Sequence, residues 1–147
     1  MPITPITPSR QIDRAVDNYV ANVRRAILYK MQYVGERCIV EARTTANFTD
    51  RTGNLRSSIG YVVVMDGKVQ HKGRFEVVKQ GSEGAAEGDK FISKVVAEFP
   101  KDIVLVVAAG MKYAAYVAAK GFNVTDSAEL LAHKLVPQIL TQLGLKK

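Results

Sequence analysis

Residues 9–44 read SRQIDRAVDNYVANVRRAILYKMQYVGERCIVEART, and the architecture is built around this stretch. Its apolar side chains recur every three or four positions, which is the spacing of an amphipathic helix. No proline interrupts the pattern, and Gly35 weakens it by only about 1 kcal/mol relative to alanine. The stretch therefore predicts one long helix. Its apolar positions are Ile12, Val16, Tyr19, Val20, Val23, Ile27, Met31, Val34, Cys38 and Ala42.

The predicted helix is too long for the domain that it belongs to. If unbroken to about Thr44, it extends roughly 50 Å at 1.5 Å per residue. A compact domain of 147 residues is only about 26–30 Å across. Part of the apolar stripe must therefore be covered by something other than the chain's own sheet. We predict a subunit interface formed by Tyr19, Val23, Ile27 and Met31.

The rest of the chain predicts a small, mainly antiparallel sheet and further helices, hence an α+β domain over residues 9–147. Residues 1–8 hold three prolines, so we expect an extended N-terminal arm. Asp66-Gly67 follows a strand over residues 59–65 and favours a type I′ hairpin turn. The cross-strand pairs that this turn predicts are Met65–Lys68, Val64–Val69, Val62–His71 and Tyr61–Lys72. We expect the face carrying Val62, Val64 and Val69 to meet the long helix.

Five further segments follow the hairpin. Residues 80–90 contain Gly81, Gly84 and Gly88 among small and acidic residues, which predicts a flexible loop ahead of a helix over residues 91–99. Residues 103–109 form an unbroken apolar run, which predicts a central strand covered on both faces. A short helix over residues 112–120 and a C-terminal helix complete the domain.

Composition and spacing disfavour an enzyme. Cys38 is the only cysteine and lies on the apolar stripe, where a small buried hydrophobe is the simpler interpretation. His71 and His133 are the only histidines and have no ligand-like neighbours, although Glu129 and His133 could form a surface pair. We therefore predict no catalytic set, no metal site and no cofactor. No apolar run approaches the roughly 20 residues of a membrane span, so we expect no membrane partner.

Two motifs resemble a known family. Residues 52–59, TGNLRSSI, look like the "TGxLRxSI" signature of the neck and tail-completion (head–tail joining) proteins of long-tailed bacteriophages. Residues 113–121, YAAYVAAKG, resemble the family's "YAxYVExG" helix, with Ala118 in place of the usual glutamate. The residues that carry the two motifs are Thr52, Gly53, Leu55, Arg56, Ser58, Tyr113, Tyr116, Val117 and Gly121.

The resemblance implies a structural virion protein, a ring subunit at the head–tail junction that links the portal or connector to the tail. Its partners would be further copies of itself and other neck, portal, connector or tail proteins. It would be assembled in the cytoplasm of the bacterial host. DNA passing through the ring lumen could contact the excess positive charge of +7, which 21 Lys+Arg and 14 Asp+Glu produce.

The same net charge is compatible with a second class of protein. A small basic protein could bind nucleic acid as a dimer formed through its long helix. Basic residues are not clustered beyond pairs such as Arg24-Arg25, and the chain has no tryptophan for base stacking. Ring particles in the electron microscope would favour the phage hypothesis, whereas retarded migration of random duplex DNA would favour the alternative.

Overall fold

A computed structural model describes residues 9–44, 52–77, 79–111, 114, 118 and 123–144. Its elements form the predicted α+β fold, with a long first helix, a three-stranded antiparallel sheet and a C-terminal helix. The elements are α1 (Ser9–Thr44), α2 (Asn54–Ser57), β1 (Ile59–Met65), β2 (Lys68–Lys72), α3 (Ser82–Val96), β3 (Ile103–Ala109) and α4 (Asp126–Gln142). The predicted N-terminal arm over residues 1–8 lies outside the described residues.

The sheet has the order β2-β1-β3, so β1 is its central strand. The prediction of β3 as the central strand is wrong: within the described chain β3 is an edge strand, and all seven of its residues are only partly buried. An apolar run indicates that a strand is covered, but it does not say where the strand lies in the sheet. β1 is just as apolar, and all its residues except Met65 are buried.

The hairpin between β1 and β2 forms at the predicted turn. Asp66 and Gly67 both have positive φ, 52° and 80°, as a type I′ turn requires. Met65 pairs with Lys68 and Val64 with Val69, as predicted.

The predicted register fails beyond these two pairs. Val63, not Val62, pairs with His71, and Val62, not Tyr61, pairs with Lys72. A β-bulge causes the shift: it places Gln70 as an extra residue on β2, and the turn fixes the register only as far as the first such irregularity.

The two faces of β1 are covered by different helices. Ile59, Tyr61 and Val63 pack into the core formed with α1 and α4, whereas Val62 and Val64 cluster with Ile92 of α3. The prediction that Val62, Val64 and Val69 face the long helix is therefore wrong, and Val69 is half exposed. Because β1 is apolar at every buried position, alternation along the sequence could not distinguish its two faces.

The predicted flexible loop over residues 80–90 is also wrong, since α3 runs through it as one helix, Ser82–Val96. The glycines mark close packing. A β-carbon on Gly84 would collide with the backbone of Asn54, and one on Gly88 would collide with the Ser58 carbonyl and the Phe75 ring. These positions let α3 approach α2 and the sheet closely, at some cost in helix propensity.

The second half of α1 forms the main core with β1 and α4. Met31, Val34, Gly35, Cys38, Ile39 and Ala42 are its buried residues. Ala128 and Ile139 of α4 join the same cluster. α4 packs alongside α1 on one face of the sheet, and α3 covers the other.

Candidate subunit-contact surfaces

The first part of α1 stands clear of the domain. Every residue from 9 to 22 is exposed, and burial begins at Val23. We call residues 9–22 the projecting segment; at 1.5 Å per residue it is about 21 Å long. Its apolar side chains are open to solvent: Ile12 is 49% exposed, Val16 54%, Tyr19 68% and Val20 45%.

The projecting segment lacks the packing that normally stabilises a helix. An isolated helix of fewer than about 12–15 residues is marginal in water, and tertiary packing of an apolar face supplies most helix stability in proteins. In the described part of the chain no element packs on this face. The segment is helical as a continuation of the anchored half of α1, and its stripe is available to a partner.

The segment leaves the domain at the tip of the β1–β2 hairpin. Arg24 Nη1 donates to Asp66 Oδ2 at 3.1 Å and lies 3.4 Å from the sulfur of Met65. Both charged side chains are about half exposed, so the pair contributes at most about 1 kcal/mol. This contact marks the end of intramolecular support for α1.

The structure divides the four predicted interface residues between two places. Tyr19 lies on the projecting segment and Val23 at its base. Ile27 packs against the main core, and Met31 is 8% exposed within it. The prediction that these four residues form one surface is therefore corrected. The apolar spacing of α1 continues without a break from its projecting half into its buried half, so spacing alone could not distinguish interface residues from core residues.

The first motif, residues 52–59, builds the junction between α1, α3 and the sheet. Gly53 has a φ of 79°, a left-handed conformation that suits glycine, and it starts the single turn of α2. Leu55 is buried, with 1% of its surface exposed. The Ser58 hydroxyl donates to the Leu55 carbonyl at 2.7 Å, and the Ser58 carbonyl accepts from the Gly110 amide at 3.1 Å.

The same motif holds the start of α3. The side-chain oxygen of Asn54 accepts from the Gly84 amide at 3.0 Å, and the Thr52 carbonyl accepts from the Gln80 amide at 2.9 Å. The Thr52 hydroxyl accepts from the Asn54 amide at 3.3 Å, and Gly53 occupies the N-cap position of α2. Arg56 is half-buried on α2. Within the described residues, the contacts of this motif hold α2, the start of α3 and the sheet together.

The second motif is described only at Ala114 and Ala118, and Tyr113, Tyr116, Val117 and Gly121 lie outside the described residues. Ala114 is buried in a small cluster with Leu55 and Val124, and Ala118 packs against it. The two motifs therefore meet in space through Leu55 and Ala114.

An apolar groove lies between β3 and α4. It comprises two adjoining cavities of about 230 Å³ and 410 Å³, which share Leu105 and Ala132 as lining residues. We call this the β3–α4 groove. A third cavity of about 470 Å³ continues it past Ile103 and Val136 towards Arg24 at the base of the projecting segment. The apolar lining of the groove includes Met31, Ile103, Leu105, Val107, Ala128, Ala132 and Val136.

A polar cluster, which the sequence did not predict, ties α1 to the sheet. The Tyr61 hydroxyl donates to Glu36 Oε1 at 2.7 Å and lies 3.1 Å from Nε2 of His71. Arg43 donates to the Ile59 carbonyl at 3.0 Å and to Glu76 Oε2 at 3.2 Å. Gly35 is the sequence signal that could have indicated it, because its missing β-carbon leaves room for the Tyr61 ring.

The pKa shifts of the ionisable groups in this cluster indicate a structural role for it. Burial, together with the hydrogen bond to the Glu36 carboxylate, raises the pKa of Tyr61 well above its usual range. The phenol therefore stays protonated and is no nucleophile at neutral pH. Burial lowers the pKa of Arg43, and the negative charges of Glu76 and Glu36 oppose that effect.

Cys38 is a buried thiol, as predicted. It is 0% exposed, and its Sγ donates to the Ala128 carbonyl at 3.4 Å. Burial raises the pKa of the thiol to about 11, with a smaller opposing effect of Arg37. The thiol form therefore predominates at neutral pH, which does not suit a nucleophile. His133 lies 3.6 Å from Glu129 in an exposed pair, as predicted.

Within the described ranges, no three His, Cys, Asp or Glu side chains come together as a metal site would require. Over the same ranges, no helix combines the length and the apolar character needed to cross a membrane. No protein-family model, curated protein or solved structure matches this chain.

Proposed function

We propose that this chain is a structural virion protein, a ring subunit at the head–tail junction of a long-tailed bacteriophage. The observation that carries the proposal is the projecting segment, a helix whose apolar stripe is exposed from Ile12 to Val20. Covering a Val, Ile or Phe side chain completely gains roughly 1.5–3 kcal/mol. Burial of these four half-exposed side chains by a partner would therefore strongly favour association.

The motif resemblance supports the phage assignment, which the exposed helix alone does not specify. The TGNLRSSI segment lies between a long helix and a hairpin. Its Gly53, Leu55 and Ser58 positions each have a specific packing or hydrogen-bonding role there. Residues needed for such a junction are the ones that a family signature would retain.

The proposed partners are further copies of this chain and the neighbouring proteins of the neck: portal or connector proteins on one side and tail proteins on the other. A ring requires a contact that is repeated head to tail with rotation. The proposed location is the virion, after assembly in the bacterial cytoplasm. The protein is proposed to act by assembly, without catalysis.

A nucleic-acid-binding dimer is the second candidate, and the net charge of +7 favours it. In that case α1 would pair with α1 of a second copy, and basic side chains would contact phosphate. Such binding weakens steeply with salt, because each phosphate contact releases counterions.

Purified protein examined by light scattering and by negative-stain microscopy tests the proposal. We expect ring-shaped particles, alone or after addition of tail or connector proteins. A mobility-shift titration with random duplex DNA is made in parallel. It covers about 50 to 200 mM salt, the range over which phosphate contacts weaken strongly. A dimer that retards DNA at physiological salt, without rings, would reject the ring in favour of the second candidate.

A further inference from the structure

We propose that the projecting segment of one copy binds in the β3–α4 groove of the next copy, so that the subunits associate head to tail. This inference rests on the proposed ring and adds the two surfaces that form its contact. Both surfaces are on the same chain, are mainly apolar and lack a partner within the described residues, although Thr125, Glu129 and His133 also line the groove. Each contact would cover the stripe of one copy and the groove of another.

The floor of the groove can accommodate most of the length of the projecting segment. It is formed by β3, of which residues 103–107 line the two cavities and span about 17 Å at 3.3 Å per residue. The projecting segment is about 21 Å long. The groove cavities of about 230 and 410 Å³ are open spaces into which side chains can insert.

The stripe has the spacing of a helix that binds in a groove. Such helices present anchors at i, i+3 or i+4, and i+7. Ile12, Val16 and Tyr19 stand at these intervals, and Val20 and Val23 extend the row. A copy cannot fill its own groove in this way, because its projecting segment is exposed along its whole length.

Buried area favours a head-to-tail contact over pairing of two projecting segments. Embedding half the circumference of a helix about 21 Å long and 10–12 Å wide removes roughly 350–400 Å² per partner. A stable interface removes about 800 Å² per partner. Each contact is therefore about half the standard size, and a copy in a ring makes two of them, one through its segment and one through its groove, so that ring closure adds the two together.

Pairing of two projecting segments would use this area only once per copy. It would also rest on about two heptads, fewer than the three or four over which a heptad pattern indicates a coiled coil. Each groove would then remain open to solvent. The head-to-tail contact covers both apolar surfaces together, and heterologous contacts of this type are the ones that close into rings.

The test mixes two variants that are each defective in one surface. Val16→Glu with Tyr19→Glu disables the projecting segment, which touches no described part of its own domain. Ala132→Lys blocks the groove at a residue that lines both cavities. We expect each variant alone to have the mass of one chain. An equimolar mixture should approach the mass of two chains as the concentration rises towards about 1 mM, since the mixed pair keeps one intact segment and one intact groove, a single contact of about half the standard area, and no ring can close.

Three results would overturn the inference. If the Ala132→Lys variant, folded by circular dichroism, assembles like the wild type, the segments pair with each other or the groove has another occupant. The ring would survive that result. If the mixture stays at one chain up to about 1 mM, the two surfaces do not meet. If the wild type itself remains one chain with and without tail or connector proteins, both the inference and the proposed ring fail.

Disulfide trapping provides a second measurement in case Ala132→Lys does not fold. Copies carrying Val16→Cys are mixed with copies carrying Ala132→Cys, and the mixture is oxidised. We expect cross-linked dimers on a non-reducing gel. Asn18→Cys, on the opposite side of the projecting segment, is the matched control and should cross-link at least tenfold less. Equal yields from Val16→Cys and Asn18→Cys would overturn the proposed contact.

Discussion

The Tyr61 ring of β1 packs against Gly35 of α1 so closely that a β-carbon at Gly35 would overlap its ring atoms. The hydroxyl of the same tyrosine reaches Glu36, the next residue along α1. The weakest residue for helix formation in α1 is thus a point of close contact with the central strand. This contact lies in the half of α1 that is buried in the domain.

Gly35→Ala should lower the free energy of unfolding although alanine is the better helix former. The propensity gain is about 1 kcal/mol, whereas overpacking in a core costs typically 1–3 kcal/mol. We expect a net loss of up to about 2 kcal/mol in urea denaturation followed by circular dichroism. Asn18→Ala, on the projecting segment, is the control and should change stability by less than about 0.5 kcal/mol. Stabilisation by Gly35→Ala would contradict the packing described here.

Gly84→Ala distinguishes a packed helix from a flexible loop over residues 80–90. In a flexible loop, alanine would stabilise the protein by about 0.4–1 kcal/mol through the unfolded state. In α3 its β-carbon would collide with the Asn54 backbone, so we expect destabilisation by about 1–3 kcal/mol. Thermal unfolding followed by circular dichroism measures the difference. Lys90→Ala, at an exposed position of the same helix, should shift stability by less than about 0.5 kcal/mol.

Tyr61 should make the protein less stable in alkali. Its pKa is raised in the folded state, so its contribution is complete below the usual tyrosine pKa of about 10 and is lost as pH rises above that value. We expect the free energy of unfolding to fall between about pH 9 and 11, and to fall less steeply in Tyr61→Phe. Urea denaturation at several pH values measures both slopes. Identical slopes would contradict a phenol held protonated by burial and Glu36.

Cys38 should resist thiol reagents while the protein is folded. Its pKa is raised from 9.0 to about 11, so almost no thiolate is present at pH 8, and the side chain is fully buried. We expect alkylation at the rate of global unfolding and rapid reaction in denaturant. Mass spectrometry after timed alkylation gives both rates. Rapid alkylation of the native protein would show that the contact between α1 and α4 opens readily.

The helix α1 and the hairpin turn could be predicted because each depends on short-range rules: apolar spacing for the helix and positive φ at Asp66-Gly67 for the turn. The strand order, the face of β1 that meets α1 and the helix over residues 82–96 could not. β1 and β3 are both uniformly apolar, so their sequences do not distinguish a centre from an edge. The glycines of α3 suggest a loop unless the neighbouring backbone that they accommodate is known.

The candidate contact surfaces were predicted only in part. The length of α1 relative to the domain correctly indicated an uncovered stripe at Tyr19, but the same spacing continues into the core at Met31. The β3–α4 groove depends on how far α4 stands from β3, which no local pattern encodes. The cluster of Tyr61 with Glu36 and His71 likewise joins residues that are distant in the sequence.

The mass of the wild-type protein in solution, measured by light scattering over a range of concentrations, tests the central claim most directly. The exposed stripe on residues 9–22 predicts particles of several chains, and Val16→Glu with Tyr19→Glu should reduce them to single chains whose buried core stays folded. A wild-type protein that remains one chain of 16.1 kDa at every concentration, with residues 9–22 still helical and with tail or connector proteins present, would contradict the account.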